Sequence, residues 1–198
     1  MKKKNIALLL SAVLVLVGVV GVTIAWLTDN AGAVTNTFTV GNIDILLDEA
    51  DVDNSSETDR DTENTYKMIP GFTYAKDPKV TVVGGSEDCW LFVKVTKSND
   101  YDNFLTFAIA DGWDSLAGVD GVYCRKVSAS ATAQEFDVIK GNTVTVSDQV
   151  TKQMMDQVGE NFPTITFEAA AIQLKNNNTS EFTAKQAWAE LPTEFTGI

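Results

Sequence analysis

The chain has 198 residues, with 15 basic and 27 acidic side chains, 44% hydrophobic content and no histidine. These values fit one globular domain with a sizeable core and exclude a disordered or collagen-like chain. The net charge of −12 disfavours binding to nucleic acid. Without histidine the chain lacks the commonest general base and the usual zinc ligand. We therefore predict no catalytic residues, no metal ligands and no cofactor.

The first 25 residues have the layout of an export signal. Three lysines within the first four positions precede an uncharged apolar run, Ile6–Leu27. That run is long enough to span a bilayer, so a membrane anchor is the alternative. Thr23 and Ala25 place small residues before the Ala25–Trp26 bond, and no basic stop-transfer cluster follows. We predict cleavage between Ala25 and Trp26, with membrane contact only through the uncleaved signal.

The mature chain begins with an extended segment and an acidic stretch. Residues 26–47 are predicted to form an N-terminal extended segment and first strand, because apolar residues recur along 36–47. Residues 48–64 follow as a predicted acidic surface loop. Eight of the sixteen residues 48–63 are acidic and almost none is apolar, so this stretch has little to bury.

Residues 65–198 are predicted to complete a single β domain. Segment 80–82 alternates apolar and polar residues, whereas 90–95 is apolar at nearly every position and should lie centrally in a sheet. Further strand candidates are 105–109, 122–127, 144–146 and 164–174. About eight strands separated by turn signals predict an all-β fold, an antiparallel jelly-roll-like β-sandwich.

One or two short peripheral helices are also predicted. Ser147 can cap a segment in which apolar residues recur every four positions through Val158. Thr183 and Gln186 form a capping-box pattern before a second segment, which Pro192 ends.

Cys89 and Cys124 are the only cysteines, and their spacing fits neither a redox nor a metal-cluster motif. Because both fall in strand-like segments of a chain that is exported, we predict a disulfide between them. Two reduced, buried thiols are the alternative.

Two further patterns have simple structural interpretations. The alternating oxygen ligands that begin at Asp51 and Asp53 resemble the start of a calcium loop, but the sixth and twelfth positions are Ser56 and Thr62 instead of glycine and glutamate. A solvated charge run is the favoured interpretation, with only weak, diffuse cation binding as the alternative. Among the tryptophans, Trp113 is the candidate for an exposed ring that could stack on a sugar.

Several segments together resemble one family of exported proteins. Segments 23–29 (TIAWLTD) and 36–45 (NTFTVGNIDI) resemble the N-terminal signature of the TasA/camelysin family. The IPG turn at 69–71, the AIQ at 171–173 and the AW at 187–188 are similar to later parts of that family. Members are exported from Gram-positive bacteria and cut by a dedicated SipW-type signal peptidase.

The resemblance implies a secreted structural subunit of extracellular or biofilm matrix fibres. It implies head-to-tail self-assembly, in which the N-terminal segment of one subunit completes a sheet of the next. The residues expected to form that donor strand are Trp26, Leu27, Val34, Phe38 and Val40. A monomeric secreted or membrane-tethered binding module is the main alternative. A camelysin-like protease is disfavoured because the HExxH zinc motif needs histidine.

Overall fold

A computed structural model describes residues 41–53, 60–159, 161–177 and 179–197. All of them belong to one compact unit, Val40–Ile198. The strands are β1 (Ile45–Ala50), β2 (Arg60–Asp61), β3 (Thr73–Ala75), β4 (Lys79–Val82), β5 (Cys89–Lys97), β6 (Leu105–Thr106), β7 (Asp114–Ser115), β8 (Val122–Val127), β9 (Gln134–Asp137), β10 (Thr143–Val146) and β11 (Ile165–Gln173). The helices are α1 (Tyr101–Phe104), α2 (Lys152–Val158), α3 (Ala184–Ala189) and α4 (Thr193–Thr196), with a 3₁₀ turn at Lys140–Asn142.

The strands form three antiparallel sheets, which confirms the predicted all-β class. Their orders are β2-β1-β4-β9, β3-β10-β6 and β11-β5-β8-β7. We call the first sheet layer one and the last layer two. The three-stranded sheet continues layer one, because β3 leads into β4 and β9 leads into β10. Between the β3–β10 pair and the β4–β9 pair, Lys76 N–H donates to Asn142 O and Val138 N–H donates to Pro78 O.

The main core lies between the two layers. Val80 and Val82 of β4 face Leu91 and Val93 of β5, and all four are at most 2% exposed. Burying apolar side chains between two sheets is the principal stabilising term of such a fold. The sandwich therefore follows from alternating residues that point inward from both layers.

A second core covers the outer face of layer two. Phe92 of β5 packs there against Trp188 of α3, with ring centroids 5.5 Å apart. β5 is thus buried on both faces and has neighbours on both sides, as its continuous apolar sequence predicts. α3 begins as predicted, because Thr183 and Gln186 form a capping box.

The structure corrects two boundaries. The first strand begins at Ile45 and continues to Ala50, so the start of the predicted acidic loop lies in the sheet, and Glu49 is only 7% exposed. α2 is capped by Thr151 and not by Ser147, because the Thr151 side chain accepts from Met154 N–H. Within the described ranges, no helix is long and apolar enough to cross a membrane.

Candidate functional site

The longer of the two edge strands of layer two is β11, with nine residues against two in β7. Along all nine residues it pairs with β5, and within the described part of the chain β5 is its only sheet neighbour. Ser98 N–H donates to Thr164 O, and Leu174 N–H donates to Asp88 O. In an antiparallel pair, the main-chain N–H and C=O groups of every second residue point toward the same neighbouring strand. The even-numbered residues of β11 therefore bond to β5, and the five odd-numbered ones point their N–H and C=O groups outward.

The side chains of β11 are those of an interior strand rather than a protected edge. Ala169 and Ala171 pack against the core between the layers, while Ala170 and Ile172 pack against the second core. Its only charged residue, Glu168, is paired with a lysine of β5. Natural edge strands are usually short, bulged, or marked by lysine or proline, and β11 has none of these features.

Within the described ranges, the neighbouring edge of layer one also lacks a sheet neighbour along most of β1. Val83 N–H donates to Asp44 O, so the main-chain groups of the even-numbered residues of β1 bond to β4. The main-chain groups of Ile45 and Leu47 therefore point away from β4. β2 covers the β1 edge only at Glu49 and Ala50. β1 contacts β11, although no hydrogen bonds join the two strands. We call the outer edges of β1 and β11 together the open side.

A buried ion pair lies at the open side. Lys76 Nζ is 2.9 and 2.7 Å from the two carboxylate oxygens of Glu49, and both residues are at least 91% buried. The same ammonium lies 5.0 Å from the ring centroid of Tyr66 and 5.9 Å from that of Phe167 of β11. This pair therefore connects β1 of layer one with β11 of layer two.

An exposed clamp holds the end of β1 beside this pair. Arg60 of β2 bonds to Asp48, and its Nη1 is 2.8 Å from Asp77 Oδ2. Burial pushes the pKa of Asp77 upward, but the hydrogen bonds from Arg60 and from Ala50 N–H outweigh it and leave that pKa lowered. The clamp therefore favours the ionised carboxylate.

Three carboxylates of the acidic stretch converge next to the clamp. Ligand oxygens of Asp51, Asp53 and Asp61 lie within 4.8 Å of one another. The pKa of Asp61 is raised, mainly by desolvation and next by repulsion from Asp51. The cluster is at most partly buried and lacks a buried ligand that would close a cation site, so it supports a charged surface and nothing more specific.

The predicted disulfide is wrong, because both cysteines are free and buried. β5 and β8 are neighbours, but the register places Cys124 opposite Phe92 and Cys89 opposite Val127. Cys89 faces the core between the layers and Cys124 faces the second core. The two thiols therefore lie on opposite faces of one sheet, where no bridge can form. Burial raises the pKa of Cys89 to about 11, so this thiol is poorly reactive.

Trp113 is not the exposed ring that the sequence suggests. It is 8% exposed, and its Nε1 donates to Asp137 O at 2.9 Å. Trp188 is buried and Trp90 Nε1 donates to Phe182 O. These three tryptophans have structural contacts, so none of them offers a free platform for a sugar.

The predicted cleavage site and donor strand fall in residues 1–40, outside the described residues. The following residues thus stay sequence predictions: Ala25, Trp26, Leu27, Val34, Phe38 and Val40.

Comparison of the chain with protein-family models, with curated proteins and with solved structures found no match. Its function has to be inferred from its residues and their geometry.

Proposed function

We propose that this protein is a secreted structural subunit that assembles head to tail into extracellular fibres, as the sequence resemblance implies. The observation that supports this proposal best is the open side. β11 has the length and the two-sided burial of an interior strand, yet one row of its main-chain groups lacks a sheet neighbour among the described residues. Added strands bind to such edges through main-chain hydrogen bonds.

The N-terminal segment of a second subunit is the proposed occupant. Trp26 to Val40 is 15 residues long and spans about 50 Å when extended, whereas the nine residues of β11 span about 30 Å. The donor is therefore long enough to cover β11 and to leave a linker. Val34, Phe38 and Val40 lie at even positions, so in a strand they share one face that can reach the core between the layers.

The proposed contact propagates because donor and acceptor are different surfaces. A heterologous contact that does not close into a ring produces a filament. Five outward-facing residues of β11 offer one N–H and one C=O each, and every main-chain bond adds about 0.5–1.5 kcal/mol net. Cleavage after Ala25 by a SipW-type signal peptidase would release the subunit and its donor segment together.

Electron microscopy of the secreted protein tests this proposal. Deleting Trp26–Val34 should leave a folded monomer that does not elongate, because the donor is shortened. Phe38→Asp should also prevent elongation by placing a charge in the core of the next subunit. Thr39→Asp is the matched control, because it adds the same charge on the opposite face of the strand and should still permit fibres. Fibres of normal morphology from the deleted protein would contradict the donor assignment.

The oligomeric state separates this proposal from its main alternative. If the intact secreted protein stays monomeric by size exclusion at the concentrations where matrix forms, a surface binding module is the better interpretation. Intact mass should correspond to Trp26–Ile198, and the full-length chain in the membrane fraction would favour a tethered module.

A further inference from the structure

Arg125 of β8 has unusual surroundings for a charged residue. Its guanidinium carbon lies 4.0 Å from the ring centroid of Phe136 of β9 and 5.3 Å from that of Trp113. Arginine stacks well on aromatic faces, and stacking on two rings restricts its side chain to a narrow range of positions. The group lies near β9 and β7, on the other side of the sandwich from β11.

No carboxylate neutralises this guanidinium within the described part of the chain. The other arginine of the sequence, Arg60, is bonded to Asp48 and Asp77. Arg125 makes no ion pair or hydrogen bond there, and its Nε is buried without a partner. Nη1 and Nη2 have no hydrogen-bond partner there either, and the residue is only partly buried, so two parallel donors remain free. In a chain with 27 acidic residues, an unpaired arginine held in one place needs a physical reason.

Gly112 leaves the guanidinium accessible. Its φ of +89° is in the region that favours glycine, and a Cβ at this position would lie 3.4 Å from Nη2 and 3.5 Å from Nη1 of Arg125. A side chain there would cover the two free donors. The glycine therefore places no side chain over Nη1 and Nη2, while the two aromatic rings hold the guanidinium in place.

We propose that Arg125, Trp113 and Phe136 form a binding site for a carboxylate, which Nη1 and Nη2 bind end-on. Two parallel N–H donors match the geometry of a carboxylate, and a fixed guanidinium loses little entropy on binding. The ligand should carry a single charge, because the site supplies one guanidinium charge and the net charge of −12 disfavours a phosphate dianion. This inference does not rest on the proposed function.

The carboxylate can come from a free organic acid or from an aspartate or glutamate of a second copy. NMR of the arginine Nε–H groups separates the sources, because the sequence contains only two arginines. The buried Nε of Arg125 should give a slowly exchanging signal, and Arg60→Lys assigns it by removing the other one. Protein expressed from the full-length chain is titrated with sodium acetate, against sodium chloride at equal ionic strength.

A saturable shift of the Arg125 signal with acetate, without a comparable shift for Arg60, supports the proposal. Arg125→Lys should weaken acetate binding about tenfold by replacing the planar fork with a point charge, and Arg125→Gln should abolish it. Lys67→Gln is the matched control, because it removes one exposed positive charge and should leave binding unchanged. If acetate moves neither signal, or moves both as chloride does, there is no carboxylate site.

The second arm raises the protein concentration without acetate. A shift of the Arg125 signal that acetate reverses identifies the carboxylate of a second copy as the natural ligand. A signal that responds to acetate but not to protein concentration identifies a free acid. Because the titration uses the unaltered chain, the proposal can be rejected even if Arg125→Gln fails to fold.

Discussion

The two sides of the sandwich differ in the length of their edge strands and in how those strands are covered. On the side opposite β11, which we call the closed side, β7 and β9 have only two and four residues. The chain bridges the layers there, since Ala110 N–H bonds to Val138 O in layer one and β7 pairs with β8 in layer two. Trp113, within the crossing, bonds to the end of β9. On the open side, the nine residues of β11 have no comparable cover among the described residues.

This difference shows that a few residues at one edge are enough to protect it. Two short strands, one crossing segment and the charged residues Glu135 and Asp137 of β9 are enough to close one side. Leaving the other side open requires a long strand with small and apolar side chains on both faces. Such a strand risks aggregation unless a specific partner covers it, which supports the proposed assembly at the open side.

The largest expected effect comes from proline substitutions in β11. Ala171 points its N–H outward, so Ala171→Pro should preserve the pairing with β5 and remove a donor that an added strand needs. We expect a folded protein that forms no fibres. Electron microscopy and thermal unfolding measure the two properties.

The adjacent Ala170→Pro is the control for this experiment. Ala170 bonds to β5, so proline there should remove a native hydrogen bond and cost about 1–3 kcal/mol of stability. Normal fibres from Ala171→Pro would show that the outer edge of β11 does not accept the donor.

The buried ion pair of the open side gives the next largest effect. Lys76→Met leaves the Glu49 charge buried without a partner and should lower the unfolding free energy by about 3–5 kcal/mol in urea titrations. Lys79→Met is the matched control, because its partner Glu135 is 59% exposed and the loss should stay below about 1 kcal/mol. The double variant Glu49→Met/Lys76→Met should be more stable than Lys76→Met alone. Equal stabilities for the two lysine variants would contradict the structural role of the buried pair.

Much of the fold is predictable because its signals are local. The buried strands β5, β8 and β10 and the capping box of α3 follow from short-range periodicity, and the structure has each of them. The sequence places Glu49 in a loop because the stretch around it is acidic and almost without apolar residues. Lys76, 27 residues away, makes its burial possible. Strands as short as β2 and β7 depend on their neighbours and leave no periodic signal.

The candidate site was less predictable, because it depends on strand order and register. The sequence indicates that Cys89 and Cys124 lie in strands, but only the register shows that they face different cores. The sequence predicts a strand at 164–174, and apolar and small residues on both faces are typical of an interior strand. Its position at the end of the sheet order could not be inferred from local pattern.

A smaller effect is expected on the closed side. Trp113→Phe keeps most of the buried ring but removes the Nε1 bond to Asp137 O, so the unfolding free energy should fall by about 1 kcal/mol. Fibre formation should be unchanged, because the closed side has no part in the proposed donor-strand contact. Loss of fibres in a folded Trp113→Phe protein would show that both sides take part in assembly.

The smallest effect is a pH dependence at the end of β1. The Asp77 carboxylate accepts from Ala50 N–H at 2.8 Å and pairs with Arg60, and its pKa is lowered because these bonds outweigh the cost of burial. A carboxyl with a lower pKa in the folded protein stabilises the fold above its unfolded pKa, near 3.9. That contribution disappears as the pH falls through the lower, folded pKa.

The amide proton of Ala50 should report this titration by NMR, with a midpoint below about 3.9. In Asp77→Asn the transition should disappear, because an amide does not titrate. The Ala110 amide on the closed side bonds to a main-chain carbonyl and should not follow the same curve. A midpoint at or above the ordinary aspartate value would mean that Arg60 does not hold Asp77 in its ionised form, and that the end of β1 is freer in solution than the clamp implies.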